Sequence, residues 1–308
     1  MQYIRESTDP LTSMIPTAST PIINHLKRFG QDQHNRTPKQ TNDHHRAELF
    51  KKKLHGQFFV QQREIPQVDL DLSAKWMTRA GLSGGTEAAL CAAMEQTLAT
   101  NAIKKKIFKL DCSPLCRLCQ QKDETVRHIV SACPKLAGTK YTKRHNDVAC
   151  YVHWNILKER GIDVTAQWWK HVPIASVIDG DTTITWDLKI ITDKSLEHNR
   201  PDIVLHNKKE GWAQILDIAV PYDTNVVSKT AEKITKYRDL EISLKQNWEV
   251  RKIQTIPIIV GTFGTVCKNF TYYLKQVSPH IRPDVVQKTA VLGTAHVLRH
   301  VLTDNMDR

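Results

Sequence analysis

The chain has 308 residues, of which 40% are hydrophobic, and this is enough for about two domains with at least one sizeable core. Lys and Arg outnumber Asp and Glu by 44 to 32, so the formal net charge of +12 favours polyanionic partners. No apolar run approaches the roughly 18 residues of a membrane span, and the first residues lack the basic and apolar regions of a secretory signal. These features argue against a membrane protein, a collagen and a secreted disulfide scaffold, and we expect an intracellular globular protein.

The first part of the chain shows little apolar periodicity. Residues 1–42 are rich in Ser, Thr, Pro, Asn and Gln, which is typical of a disordered arm. Residues 43–110 form the next region, where we predict a helix over 43–60 and a helix over 86–106, with Ser83 at the start of the second. The lysine triplets of this region fit a solvated face as well as they fit phosphate contacts.

After residue 180 the periodicity changes to that of strands and then of further helices. Alternating, β-branched residues predict strands, and apolar residues three and four apart predict helices. This mixed order is typical of an α/β domain, and we predict a small mixed sheet flanked by helices. The predicted strands cover residues 182–191, 203–205, 213–220 and 256–261, with a turn at 207–211, and the predicted helices cover residues 228–248, 266–276 and 282–302.

The seven cysteines indicate a metal site. An odd number of cysteines without a secretory signal argues against a disulfide framework. The spacing C-x2-C-x8-H-x4-C is formed by Cys116, Cys119, His128 and Cys133. Four such ligands complete a closed tetrahedral site with no position for water. We therefore predict a CCHC zinc knuckle over residues 111–140, with Zn2+ in a structural role.

Two other interpretations of this cluster stay open. The thiols could be ordinary buried residues beside a surface histidine, or Cys112 could replace Cys116 as a ligand, although Pro114 makes that register awkward. The surroundings are basic, because residues 111–145 contain seven basic and three acidic side chains and so carry a net charge of +4. Small zinc knuckles with such a charge are typical of nucleic-acid binding.

A second cluster of candidate residues lies on the predicted strand pair. If Asn207 pairs with Trp212 around a four-residue loop, Asp202 lies directly across from Asp217 and shares a face with it. Two neighbouring carboxylates repel each other unless a cation balances them, and hard oxygen ligands favour Mg2+ or Mn2+. The alternative, two surface carboxylates at strand ends, fits Asp202 better than Asp217. Asp217 lies within an apolar run, where an unpaired charge is costly.

The predicted helix after this strand pair carries basic and phenolic side chains. Lys229, Lys233 and Lys236 are spaced to share one helical face. Tyr237 lies four residues beyond Lys233 on the same side. A lysine near two metal-binding carboxylates could orient an attacking water or neutralise a pentacovalent phosphate. Three lysines on a helix are, however, more often exposed to solvent.

Taken together, these motifs resemble one family. From about residue 74 to residue 303, the chain resembles the C-terminal part of the polyprotein of site-specific non-LTR retrotransposons, including the Dong-like group. In that family, a CCHC zinc knuckle and then a restriction-like endonuclease of the PD-(D/E)xK type lie downstream of the reverse transcriptase. The matching stretches are CRLCQQKDETVRHIVSACPKLA, the RHN at 144–146, TWDLKIITDKSLEHNRPDIVL, ILDIAVPYDTNV, AEKITKYRDLEI, PIIVGTFGTV and VLGTAHVLRHVL.

The resemblance implies a fold, a reaction and a set of site residues. It implies a PD-(D/E)xK domain over residues 141–308 that binds Mg2+ or Mn2+ and double-stranded DNA in the nucleus, with element RNA as a further partner. The implied reaction is a nick in target DNA that leaves a 3′-OH for target-primed reverse transcription. The implied catalytic residues are Asp202, Asp217 and Lys233, with support from Lys236 and Tyr237. The expected nucleic-acid contacts are Arg144 and His145, from the resemblance, and Arg117 and Lys143, from the basic surroundings of the knuckle.

The chain departs from the family in three places. Ala219 occupies the lysine position after Asp217, and Lys233 on the following helix takes over that role, as the displaced lysine does in the family. Asn146 stands where many relatives have Asp, and no polymerase motif occurs in the sequence. The rival expectations are a nucleic-acid-binding protein without cleavage activity and an unstable relic of such an element. A third acidic metal ligand is unresolved, with Asp187 and Glu159 as candidates.

Overall fold

The computed structural model describes residues 38–303, and in it the chain forms two compact units. Of the described residues, the first unit contains 38–66, 81–141 and 294–303, and the second contains 67–80 and 142–293. The predicted disordered arm lies outside the described residues, except for residues 38–42, which begin the first helix and were assigned wrongly. Over the described range, no helix has both the length and the apolar character that crossing a bilayer requires.

The described residues contain helices throughout and strands in the second unit only. The helices are α1 Pro38–Lys51, α2 Gln57–Arg63, α3 Leu70–Ala74, α4 Trp76–Arg79, α5 Gly84–Met94, α6 Asn101–Lys106, α7 Val126–Ser131, α8 Pro134–Leu136, α9 Thr142–Glu159, α10 Val226–Lys236, α11 Arg238–Asn247, α12 Phe270–Val277 and α13 Pro283–Thr303. The strands are β1 Ser176–Asp179, β2 Thr182–Trp186, β3 Ile203–Asn207, β4 Trp212–Ala219 and β5 Lys252–Ile259. The protein is therefore an α/β protein whose N-terminal part is helical.

In the first unit, the predicted helix over 86–106 is two helices. Ser83 caps α5 as expected, because its hydroxyl accepts a hydrogen bond from the backbone N–H of Thr86. Gln96 then adopts a left-handed backbone conformation with φ of 55°, which ends α5. Thr100 caps α6 in the same way as Ser83 caps α5. The apolar spacing therefore predicted the helical character correctly but missed the break.

The second unit is built on a five-stranded sheet with the order β1-β2-β3-β4-β5. The first four strands are antiparallel neighbours, and β5 runs parallel to β4. Asn207 pairs with Trp212 across the hairpin, so the predicted register of β3 and β4 is confirmed. The predicted strand over 182–191 is too long, because Asp187 has φ of 47° and ends β2. The edge strand β1 was not predicted.

Helices cover both faces of this sheet. On one face, α9, α12 and the first part of α13 pack against residues such as Leu205 and Leu216. On the other face, Tyr237 and the apolar residues of α11 pack against Val204 and Ile215. The predicted helix over 228–248 is therefore two helices, α10 and α11, with Tyr237 buried at the junction. The long helix α9 was missed, although it is amphipathic.

Candidate functional site

The predicted zinc ligands come together in the first unit. Their ligand atoms all lie within 4.8 Å of one another, and all four residues, Cys116, Cys119, His128 and Cys133, are buried. The sulfurs of Cys116 and Cys133 are 3.9 Å apart, and the Cys119 sulfur lies 3.3 Å from Nε2 of His128. A tetrahedral ion with Zn–S bonds of about 2.3 Å requires sulfurs about 3.8 Å apart, so the cluster matches a zinc ion in size.

Short-range structure holds these ligands in place. The backbone N–H of Cys116 donates to the carbonyl of Lys122 at 2.8 Å, which closes a tight turn around the two cysteines. Gln120 completes this turn with a left-handed φ of 55°. His128 lies on α7, whose N-terminus is capped by the hydroxyl of Thr125. Because every ligand is fixed by neighbours in sequence, the cluster is a local motif.

A tyrosine outside the predicted motif connects its last cysteine to the helix that carries His128. The hydroxyl of Tyr141 accepts a hydrogen bond from the backbone N–H of Cys133 at 3.0 Å and donates one to the carbonyl of Ile129 at 2.6 Å.

The protonation state of His128 also suits a metal ligand. Burial lowers the pKa of His128, which keeps the imidazole in the neutral form that binds metals. With four protein ligands and no open position, the arrangement suits a structural metal. Cys112 is not part of the cluster of described ligand atoms.

The structure gives Arg117 an internal partner. Its guanidinium binds both carboxylate oxygens of Glu124, with Nε to Oε2 at 2.8 Å and an Nη atom to Oε1 at 2.7 Å. The Glu124 side chain is fully buried, and it also accepts a hydrogen bond from the backbone N–H of Asn101. This pair therefore connects the turn of the zinc cluster to the start of α6. The predicted nucleic-acid contact of Arg117 stays a prediction, but only 14% of its side chain is exposed.

The other basic residues around the cluster differ in their surroundings. Lys122, Arg127 and Lys135 have exposed side chains in the first unit. In the second unit, Lys143 is exposed and forms an ion pair with Asp147 one turn further along α9. Arg144 is buried, and one of its terminal nitrogens lies 3.4 Å from the carbonyl of Val220. Of the two resemblance-based contacts, Arg144 is thus part of the interior and His145 is not.

The predicted carboxylates lie next to each other in the sheet. The register that pairs Ile203 with Leu216 places Asp202 directly across from Asp217, just before β3 begins and near the end of β4. Asp217 is 2% exposed, and it lies on the same sheet face as Ile215. The backbone N–H of Ile218 donates to Oδ2 of Asp202 at 2.5 Å. The strand pair therefore fixes Asp202 directly to the backbone of the residue after Asp217.

Three side chains from the α10 segment converge on Asp217. The ammonium of Lys233 forms an ion pair with Oδ2 of Asp217, and the ammonium of Lys236 lies 3.4 Å from Oδ1. The hydroxyl of the fully buried Tyr237 donates to the same Oδ1 at 2.9 Å. Lys236 in turn donates to the Tyr237 hydroxyl at 2.8 Å. Three of the four predicted helix residues therefore contact the buried carboxylate, whereas Lys229 pairs with Glu232.

The charges around Asp217 shift the pKa values of Lys233 and Tyr237. Burial disfavours the charged form of Lys233, but the carboxylates of Asp217 and Asp202 raise its pKa by more, so the pKa lies above its ordinary value. Burial and the charge of Asp217 both raise the pKa of the Tyr237 phenol. The lysine thus stays charged and the tyrosine stays protonated, so both act as donors near neutral pH.

His145 joins the cluster from α9. Its Nε2 lies 3.2 Å from Oδ1 of Asp202, on the side of that carboxylate opposite to the backbone contact. Burial lowers the pKa of His145, but the hydrogen bond and the charge of Asp202 raise this pKa by more than burial lowers it, so the net shift is upward. Sequence reasoning placed His145 at the DNA, and it missed this contact with a predicted metal ligand.

The two candidates for a third acidic ligand occupy different places. The backbone N–H of Asp187 donates to the carbonyl of Asp202 at 2.7 Å, so Asp187 lies in the same row of the sheet. Its carboxylate is directed to Arg200, with Nε to Oδ1 at 2.8 Å. Glu159 lies near the opposite end of α9 from His145, which is about 20 Å along the helix axis. The structure therefore brings Asp187, and not Glu159, to this end of the sheet.

One buried carboxylate near the site was not predicted. Asp223 is fully buried and accepts hydrogen bonds from the hydroxyls of Thr262 and Thr265, each at 2.6 Å. A Cβ atom on Gly261 would lie 2.3 Å from Oδ1 of Asp223, so only glycine fits there. Asp223 ties the loop after β5 to the segment that enters α10. The only sequence signal was the repeated Gly-Thr of the stretch GTFGT.

No protein-family model matches this sequence, and a search of curated proteins finds no significant similarity.

Proposed function

We propose that the chain is a metal-dependent DNA endonuclease that nicks one strand of a duplex and leaves a 3′-OH. The single observation that carries the proposal is the buried Asp217 carboxylate, which two ammonium groups and a phenol approach from the next helix. Neighbouring carboxylates beside a lysine supply two groups that promote metal-dependent phosphodiester cleavage: ligands for a hard cation and a positive charge for the transition state.

The donor set is compatible with a divalent cation. Oδ2 of Asp217 is buried and has no hydrogen bond from the described residues, so its only partner is the Lys233 ammonium. Asp202 is fixed beside it by the Ile218 backbone. Mg2+ is usually held in proteins by one or two carboxylates, with waters and substrate phosphates as its other ligands. Asp202 and Asp217 would therefore hold Mg2+ or Mn2+, and a bound ion would supply Lewis-acid polarisation of the phosphodiester.

The remaining residues of the cluster have separate roles in this proposal. Lys233 provides a permanent positive charge beside the carboxylates, where it neutralises charge that develops on the phosphate. Lys236 and Tyr237 hold Oδ1 of Asp217, so that Oδ2 has a defined direction. His145 orients the Asp202 carboxylate through its Nε2 contact. These three are positioning residues, whereas Lys233 acts on the phosphate itself.

The wider architecture supports the same proposal. A small mixed sheet with helices on both faces and acidic residues at strand ends fits the PD-(D/E)xK class that the sequence resemblance implies. In the first unit, exposed Lys122, Arg127 and Lys135 offer phosphate contacts near the zinc cluster. The target in this proposal is double-stranded DNA in the nucleus, element RNA is a further partner, and the 3′-OH would prime reverse transcription.

Nicking of supercoiled plasmid by the purified full chain tests the proposal. We expect the wild-type protein to convert supercoiled DNA to the open circle, and we expect Asp217→Asn and Asp202→Asn to lose this activity by about a hundredfold or more. Asp147→Asn is the matched control, since Asp147 is a carboxylate on α9 whose partner among the described residues is the exposed Lys143. Equal nicking by wild type and Asp217→Asn would refute the assignment of the site.

One observation favours a second candidate, a nucleic-acid-binding protein without cleavage activity. Lys233 and Lys236 already balance the charge of Asp217, so the folded cluster satisfies this carboxylate without a divalent ion. The two candidates differ in one measurement. A protein of the second kind would bind DNA in a salt-dependent manner and would not nick it at any Mg2+ concentration.

A further inference from the structure

A cleft lies on the sheet face opposite to Asp217. Its cavity has a volume of about 390 Å3, and it is bounded by the start of β4, the end of α9 and the end of α12, all in the second unit. A second cavity of about 240 Å3 adjoins it and shares Trp212 and Gln214 as lining residues. Trp212 begins β4 and Asp217 lies five residues further, so the cleft and the carboxylates are separated by about 17 Å along the strand.

The walls of the cleft combine apolar and polar side chains. Ile156, Leu205 and Val277 form an apolar lining, and Trp212 is an aromatic wall between the two cavities. The indole N–H of Trp212 donates to Glu210 at 2.6 Å, which fixes the ring. A fixed aromatic wall above an apolar lining is suited to a flat aromatic ligand that stacks.

Two amide side chains of the cleft present acceptor oxygens. The side-chain nitrogen of Gln214 donates to the carbonyl of Gln276 at 3.1 Å, which leaves the Gln214 amide oxygen for a ligand. The side-chain nitrogen of Gln276 donates to the hydroxyl of Tyr272 and so leaves a second amide oxygen. Glu159 adds a carboxylate at the rim. A ligand that fits must therefore offer N–H donors.

We propose that this cleft binds an unpaired nucleobase that carries an exocyclic amino group, stacked on Trp212. Adenine and cytosine are flat and bring an amino group to the amide oxygens of Gln214 and Gln276, whereas thymine has no amino group. Arg160, which pairs with Asp179, lines the larger cavity and Lys252 lines the smaller one, so each cavity has a positive charge for a sugar-phosphate chain. The site is separate from the carboxylate cluster, and binding to it does not require cleavage.

Oligonucleotide binding in EDTA tests this inference without any cleavage. Fluorescein-labelled oligo-dA and oligo-dT of about ten nucleotides are titrated with the full chain, and anisotropy reports binding. We expect oligo-dA to bind at least about fivefold more tightly than oligo-dT, and we expect Trp212→Leu to weaken oligo-dA binding by about tenfold, since one stacked base contributes about 1–3 kcal/mol. Adenosine monophosphate as a competitor distinguishes recognition of the base alone from recognition of the strand.

Two variants separate stacking from a general loss of structure. Trp212→Phe keeps an aromatic wall and should restore most of the oligo-dA affinity, whereas Gln214→Leu should remove the preference for oligo-dA over oligo-dT. Trp169→Leu is the matched control, because Trp169 is 64% exposed and does not line the cleft. Equal oligo-dA binding by Trp212→Leu and Trp169→Leu, or equal binding of oligo-dA and oligo-dT by wild type, would overturn the proposal. Neither result depends on whether the protein nicks DNA.

Discussion

The zinc cluster and the carboxylate cluster are both rich in potential metal ligands, but they are assembled differently. The zinc ligands all lie within residues 116–133, and short turns hold them in place. The carboxylate cluster joins His145, Asp202, Asp217 and the α10 lysines, which come from distant parts of the chain. Four protein ligands close the first site, whereas two carboxylates would leave most positions of a cation in the second open to water and substrate. On the proposed function, the first site therefore has a structural role and the second a chemical role.

Removal of one zinc ligand should have the largest effect. Because zinc binding contributes on the order of 10 kcal/mol to the folding of small zinc domains, we expect Cys133→Ser to lose its zinc and to unfold the region around the cluster. Zinc content and thermal melting measure this. Cys112→Ser is the control and should keep one zinc per chain, since Cys112 lies outside the cluster. Normal zinc content in Cys133→Ser, or loss of zinc in Cys112→Ser, would show that the ligand set is wrong.

Loss of the buried ion pair between Arg117 and Glu124, beside the zinc cluster, should have the next largest effect. Glu124→Gln leaves the Arg117 guanidinium without its buried counter-charge, and we expect the free energy of unfolding to fall by about 3–5 kcal/mol. Asp123→Asn removes the neighbouring exposed pair with Lys106, and it should cost less than about 1 kcal/mol. Urea unfolding of both variants makes the comparison. Similar losses of unfolding free energy in the two variants would mean that the buried Glu124 pair stabilises the fold no more than the exposed pair does.

The free energy of unfolding of the second unit should depend on pH through one buried histidine. His153 is fully buried, and burial together with the nearby His171 lowers its pKa to about 4. The unfolded chain binds the proton at about pH 6.5, so the free energy of unfolding should fall by roughly 3 kcal/mol as the pH drops from 7 to 4. His153→Gln should flatten this dependence. Urea unfolding as a function of pH checks it, and an unchanged slope in the variant would assign the pH dependence to other groups.

In the proposed function, catalysis by the carboxylate cluster depends on Lys233. We expect Lys233→Met to reduce nicking by about a hundredfold, because it removes the positive charge beside the phosphate. Binding of Mn2+ should be retained or increase, since Lys233 no longer competes for Oδ2 of Asp217. Lys229→Met is the matched control, because Lys229 lies on the same helix and pairs with Glu232. Loss of Mn2+ binding together with nicking would indicate collapse of the cluster instead.

The difference between the two regions also explains what the sequence could predict. The spacing of Cys116, Cys119, His128 and Cys133 predicted the zinc cluster because such a motif is local. The pairing of Asp202 with Asp217 followed from one hairpin register, which the turn at 207–211 fixed. The contact of His145 with Asp202 could not be predicted, because it depends on how α9 packs against the sheet. The same long-range packing decides the partners of Asp223 and the burial of Arg144.

Helix and strand ends were the least predictable part of the fold. Left-handed backbone at Gln96 and Asp187 ends α5 and β2, although neither residue is a glycine. Tyr237 separates α10 from α11 because its ring is buried against the sheet, and no breaker residue marks that position. These boundaries depend on tertiary contacts, which override local preference.

The Mg2+ dependence of nicking by zinc-loaded protein tests the division of roles most directly. The wild-type chain is treated with enough EDTA to remove weakly bound divalent ions, its zinc content is measured, and Mg2+ is then added with supercoiled DNA. We predict one zinc per chain throughout, no nicking before Mg2+ is added, and nicking after it that is absent in Asp217→Asn. Nicking without Mg2+, or a zinc-loaded wild-type protein that fails to nick with Mg2+ present, would contradict the assignment of Asp202 and Asp217 as the catalytic metal site.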